Sequence, residues 1–247
     1  MSRYFLELAY KGTNYSGFQS QINANTVQAE VENAFETFQR EKIIMTGSSR
    51  TDAGVHALQN YFHFDFEGTM PKDFVYKFNA ILPSDIVVKN IMQVNPEAHC
   101  RFDAVTREYN YYIYRQKDPF LKETAFYFPY KLDIDLMQQA AAIVKEYTDF
   151  TSFSKRNTQV KTFICQIQES NWLFQDKTLI YNVKSNRFLR GMVRALTATM
   201  LKIGRDKLSL QQFRHIIEAK DCTKASFAVP AHGLFLIKVN YDKGFNK

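Results

Sequence analysis

The chain has 247 residues, 45% of them hydrophobic, which is enough to bury a full core as one large domain or as two small ones sharing an interface. Lys and Arg number 32 against 25 Asp and Glu, and the net charge of +7 suits a polyanionic partner. Three scattered cysteines, Cys100, Cys165 and Cys222, exclude a disulfide framework and a Cys-x-x-Cys metal site and point to a reduced cytoplasm, while the lack of a signal peptide or of an apolar run of roughly 18 residues predicts a soluble protein away from membranes.

In chain order, Tyr4 to Tyr10 reads as a strand, Gly12 to Gly17 as a loop, and Thr26 to Arg40 as a helix with Val27, Val31, Ala34, Phe35 and Phe38 on one face. Asn25 with Gln28 three residues later resembles a capping signal. Strands follow near Ile43 to Thr46 and Asn60 to Phe66, then a helix from Lys72 to Ile81 and a strand from Ile86 to Val94. The second half gives a strand from Arg107 to Arg115, a helix from Ile134 to Tyr147, and strands Phe163 to Leu173 and Thr178 to Lys184 turned at Gln175-Asp176-Lys177. A long helix from Arg187 to Ile203, a shorter one from Leu210 to Ala219 and a strand from Gly233 to Tyr241 complete it.

Each half therefore reads βαββαβ, the second with one extra helix. The pattern predicts an α+β protein of two ferredoxin-like halves, residues 1–100 and 101–247, with antiparallel sheets side by side, helices on one face and an active-site cleft between the halves. No Pro/Gly/Ser-rich linker separates them, so the join near Pro96 to Phe102 is expected to be short.

Between two of these strands lies Gly47-Ser48-Ser49-Arg50-Thr51-Asp52-Ala53-Gly54-Val55-His56-Ala57. Gly54 allows a positive φ and Ala53 leaves room for a substrate, so Asp52 can be presented at a sheet rim with Arg50 reaching the same space. In the helix expected from Arg187, the apolar positions Leu189, Val193, Leu196, Met200 and Ile203 form a stripe. Arg187, Arg190 and Arg194 then fall within an arc of about 60° on the other side. Lys184, Lys202, Arg205 and Lys207 surround this ridge and Asp206 is the single acid nearby, which favours phosphate binding. On the strand Arg107-Glu108-Tyr109-Asn110-Tyr111-Tyr112-Ile113, Tyr109, Tyr111 and Ile113 share a face. His56, His63 and Asp65 fit no dedicated ligand spacing, so no metal is expected, and neither a P-loop nor a dinucleotide fingerprint is present.

The string Arg50 to Ala57 closely resembles the signature of the TruA family of tRNA pseudouridine synthases, as do Lys184 to Arg194 with its Phe188 and Met192-Val193-Arg194, Arg-x-Tyr-x-Tyr-x-Ile at 107–113, Asp149 to Phe153 and Ala231 to Leu236. The resemblance implies conversion of uridine to pseudouridine at positions 38, 39 and 40 of the tRNA anticodon stem-loop by a homodimer. It makes Asp52 the nucleophile, Arg194 its charge partner, and Tyr109 the active-site tyrosine, able to stack on uracil and relay a proton near C5. Gly17-Phe18-Gln19-Ser20-Gln21 resembles a substrate-facing loop in which Trp is usual at Phe18, and His is usual where this chain has Arg190-Gly191. The isomerisation is redox-neutral and needs no cofactor; a stacked uridine must be flipped out to reach a carboxylate, with Arg50 filling the gap or holding its phosphate. Attack at C1′ or at C6 both remain open. Two other readings stay in view: a noncatalytic RNA-binding protein of ferredoxin-like fold, and a metal-dependent nuclease using Asp52 and the histidines.

Overall fold

The computed structural model of the chain describes residues 1–156, 158 and 160–242. In order, its strands and α-helices are β1 (Ser2–Tyr10), α1 (Val27–Gln39), β2 (Thr46–Gly47), β3 (His56–Phe66), α2 (Phe74–Asn79), β4 (Ile86–Val94), β5 (Ala104–Tyr114), β6 (Phe126–Tyr127), α3 (Ile134–Val144), β7 (Ile167–Gln175), β8 (Thr178–Ser185), α4 (Met192–Gly204), α5 (Leu210–Glu218) and β9 (Leu234–Tyr241). This is a mixed α/β architecture with mostly antiparallel strand pairing and few helices. No helix among the described residues is long and apolar enough to cross a membrane. The chain divides into two compact units, Met1–Val105 with the chain from Phe235, and Thr106–Leu234.

In the first unit the strand order is β4-β1-β3-β9. β3 pairs with β1 along most of its length and uses its other edge twice, for β9 at His56 and Ala57 and for β2 at Phe62 and His63. Because β2 is so short, the chain between it and β3 is a long hairpin loop, and this is the segment that carries Asp52. α1 begins where Thr26 accepts a hydrogen bond from the Ala29 amide through its side chain, rather than at the expected Asn25 signal. Gln28 instead accepts from the Ser20 amide and donates to the Met45 carbonyl, tying the helix to both flanking loops. Phe35 packs edge-on against Phe64 of β3, and Phe38 against Phe74 of α2, so the predicted apolar face of α1 is the one that builds the core.

In the second unit β5, β8 and β7 form an antiparallel series, with β6 added in parallel to β5. α3 packs on β7 and on α4. Gly204, the last residue of α4, packs so closely on α3 that a Cβ there would overlap the Met137 side chain. α5 opens with a reciprocal capping box between Ser209 and Gln212.

Four departures from the sequence reading have local causes. β2 is Thr46–Gly47 and not Ile43 to Thr46, and β3 starts four residues early because its first residues pair with β9. The closing strand from Phe235, expected in the second half, therefore belongs to the first unit. β7 starts at Ile167, and β6 appears because Phe126 and Tyr127 line up beside Ile113 and Tyr114. The fourth concerns the basic segment: α4 starts at Met192, after Gly191 at φ +75°, and not at Arg187. Arg187 and Arg190 thus precede the helix, α4 is buried on nearly all sides, and Arg194 and Lys202 are its two charged residues. The expected ridge on one helix face does not form.

Candidate active site

The Asp52 loop is set by what lies under it. The Ser48 amide donates to the Tyr61 carbonyl at 2.8 Å, continuing the hairpin one residue past β2. Asn60 donates to the Ser49 carbonyl at 2.9 Å, Tyr10 shares a hydroxyl–hydroxyl hydrogen bond of 2.8 Å with Thr51, and the Phe18 amide donates to the Thr51 carbonyl at 3.1 Å. A turn follows in which the Val55 amide donates to the Asp52 carbonyl at 3.1 Å, with Gly54 at φ +77°. Ser48, Ser49, Thr51, Val55 and His56 are buried, whereas Arg50 and Ala53 are exposed and Asp52 is half-buried. Burial of the supports and exposure of the carriers gives the loop a working side.

Two glycines hold this packing together. A Cβ on Gly12 would overlap the Val55 carbonyl, and one on Gly47 would overlap the Phe18 ring. The latter corrects one expectation: Phe18 is 1% exposed and stacks on Phe62 at 4.6 Å, so it is a core residue beneath the loop and its ring face is not offered to a base. Gln19 next to it is exposed.

In the second unit Tyr109 lies on the buried face of β5 opposite Val183, with its ring 5.0 Å edge-on from Phe188. Tyr111, two residues on along the same face, donates to the Pro230 carbonyl at 2.7 Å and packs so closely on Gly233 that a Cβ there would overlap its ring. Burial holds the Tyr111 hydroxyl well above the usual tyrosine range, so it remains a donor. Arg194, in the first turn of α4, forks onto the Val229 carbonyl with Nε at 3.0 Å and Nη2 at 2.7 Å. That carbonyl fixes the plane of the guanidinium, a partner that sequence patterning gives no means of finding. Arg187 is half-buried ahead of α4, and Arg190 is exposed, with its carbonyl accepting from the Lys155 amide at 3.0 Å.

The residues weighed for a metal do not converge. His56 accepts from the Gly12 amide at 3.0 Å and stacks on Phe235, and Asp65 is held by a two-pronged pair with Arg3 at 2.8 and 2.7 Å. His63 turns to Cys100 instead, with Nδ1 and Sγ 3.1 Å apart, and lies beside His99. These three side chains are the one group of potential ligands close together among the described residues. His99 Nδ1, however, accepts from the Arg101 amide at 3.1 Å, which leaves the proton of the neutral ring on Nε2, the wrong tautomer for binding a cation through that atom. Burial depresses the pKa of His63 to about 4, so it is neutral near pH 7.

Asp52 thus lies half-buried on a glycine-shaped loop in an α/β protein with a basic balance, and comparison with known proteins supplies the class. The sequence pattern of the tRNA pseudouridine synthase family matches the chain twice, over residues 8–103 and 147–242, and the chain belongs to that family. A protein of Parabacteroides distasonis named tRNA pseudouridine synthase A is 45% identical over 246 residues, covering 98% of this chain and 97% of the relative. Proteins of the same name from Porphyromonas gingivalis, 44% identical, and an Exiguobacterium strain, 38% identical, cover 98% of this chain and 98% and 99% of themselves. Relatedness over the whole length favours an enzyme over a noncatalytic RNA-binding protein.

Proposed function

We infer that the protein isomerises uridine to pseudouridine in tRNA, breaking the N1–C1′ bond and rejoining the base to the sugar through C5. Full-length membership of the synthase family supports the reaction, and the half-buried Asp52, on a loop anchored by buried Thr51 and Val55, carries the assignment of the nucleophile. The targets are uridines 38, 39 and 40 of the anticodon stem-loop, and the working form is a cytoplasmic homodimer. The chain is built from two ferredoxin-like halves that divide near residues 100–105, a reading supported by the two family matches at 8–103 and 147–242, with the strand from Phe235 completing the sheet of the first.

The chemistry proceeds without a cofactor because no electrons are gained or lost overall. The uridine is flipped out of its stack, which costs a few kcal/mol offset by phosphate contacts from Arg187 and Arg190. Arg50, exposed two residues before Asp52, fills the gap or holds the local phosphate. Asp52 attacks the nucleotide, Arg194 is the charge partner assigned to it by the family pattern, Gln19 lies along the substrate, and the Tyr109 side serves the base and the proton leaving C5.

Release of tritium from C5-labelled uridine in tRNA tests this. Wild type should release label, leave the RNA chain intact and work in the presence of a chelator. Asp52→Asn should lose about four orders of magnitude or more in rate while still binding tRNA. Undiminished release from Asp52→Asn would remove Asp52 as nucleophile, and RNA cleavage that stops with chelator would replace the isomerase with a nuclease.

A further inference from the structure

Beneath Asp52 lies a small buried polar network. Asn60 is 0% exposed and Tyr10 and Thr51 are nearly as buried, yet all three are polar, and burial of polar groups is tolerated only when they are mutually satisfied. Asn60 Nδ2 donates to the Ser49 carbonyl at 2.9 Å and to the Tyr10 hydroxyl at 3.3 Å, while Oδ1 accepts from the Tyr61 amide at 2.9 Å. The Tyr10 oxygen, accepting from Asn60, has its own hydrogen to give, and the Thr51 hydroxyl oxygen lies 2.8 Å away. Either hydroxyl can donate to the other, and Asn60, Tyr10 and Thr51 thus form one hydrogen-bonded chain. Thr51 immediately precedes Asp52 and is held a second time through its carbonyl by the Phe18 amide; on the other side the Asp52 carbonyl is held by Val55. Backbone on both sides of the Asp52 Cα is thereby fixed to β1, β3 and the Phe18 loop.

We propose that Tyr10 and Asn60 are positioning residues for the reaction, fixing Asp52 through the Thr51 hydroxyl and the Ser49 carbonyl. The proposal rests on Asp52 being the nucleophile. Misplacement of a reacting group by about 1 Å costs up to about a hundredfold in rate, because the near-attack geometry goes while the bulk of the substrate is still held. Tyr10→Phe keeps the ring in the core and removes only the hydroxyl; Thr51→Val keeps the side-chain shape and removes the hydroxyl that meets Tyr10. Both should lower kcat about ten- to a hundredfold while KM for tRNA stays within about twofold. Thr51→Ser, which restores the hydroxyl, should recover most of the rate. The Tyr10→Phe/Thr51→Val double variant should be no slower than the worse single, since both cut the same link.

The experiment is steady-state tritium release at a temperature well below the melting transition of each variant, with thermal melts run alongside. A Tyr10→Phe kcat within twofold of wild type overturns the proposal, as does a double variant whose loss is the product of the two single losses. A purely structural role would lower the melting temperature without the kcat loss, and that result also overturns it. If Asp52→Asn is inactive while Tyr10→Phe is unaffected, the positioning role alone fails; if Asp52→Asn is active, the nucleophile assignment fails first.

Discussion

The Asp52 loop and the Arg187–Arg194 segment carry the residues proposed for chemistry and for phosphate binding, and their local sequences constrain them to different degrees. The loop is pinned by glycines with fixed neighbours: Gly12 against Val55, Gly47 against Phe18, and Gly54 in the positive-φ region. The basic segment has a helical apolar spacing that continues across Gly191, so periodicity extends the helix back to Arg187. The backbone at Gly191 instead takes φ +75° and α4 starts one residue later. A spacing of three and four reports which residues are buried, and a buried loop residue such as Leu189 satisfies it as well as a helical one. The loop is thus held largely by contacts with residues distant in the chain, while hydrophobic periodicity in the basic segment is blind to a single left-handed residue.

Substitutions that act on one region and spare the other sharpen this contrast. Gly12→Ala should have the largest effect, because its Cβ meets backbone and not a movable side chain; a loss of about 2–3 kcal/mol in denaturant unfolding is expected. A loss below about 1 kcal/mol would show that the Val55 turn can shift, and would weaken the pinning argument. Replacing Arg187 and Arg190 together by Gln should leave stability nearly unchanged and reduce tRNA affinity. The slope of log affinity against log salt should flatten by about 0.7–0.9 for each phosphate that is no longer neutralised. Asp52→Asn should leave that slope unaltered, and an identical slope in the arginine variant would show that the two guanidinium groups do not meet phosphate.

Of the two glycine variants, Gly191→Ala has the smaller effect. Its new methyl meets the Lys155 and Phe227 side chains, which can yield, so the cost is mainly that of a left-handed L-residue, about 1–2 kcal/mol. Tritium release should persist with this variant at low temperature. A stabilised protein, with its unfolding midpoint raised, would mean that the helix can extend toward Arg187 when the glycine is removed.

Much of the site is legible in the sequence because it is built from residues adjacent in the chain. Arg50, Asp52 and Gly54 need only their order and the strands on either side to be read as a loop with a presented carboxylate, and Tyr109 and Tyr111 need only the alternation of a strand. Phe18 reads as substrate-facing because a loop aromatic and a core aromatic look alike until Phe62 and Gly47 are seen against its ring. His63 groups in the sequence with Asp65, two residues along the strand, whereas its partner Cys100 lies 37 residues away.

The amino-acid sequence by itself determined the order of most elements, the apolar face of α1, and the loop that bears Asp52, because propensity, alternation and glycine conformation act over a few residues. Tertiary structure alone decided that Asn60, Tyr10 and Thr51 form one hydrogen-bonded chain, that Arg194 lies across the Val229 carbonyl, and that the last strand joins β3 in the first unit. Those contacts join residues far apart in the chain, and each exists because a buried polar group or an unpaired sheet edge must find a partner wherever the fold supplies one.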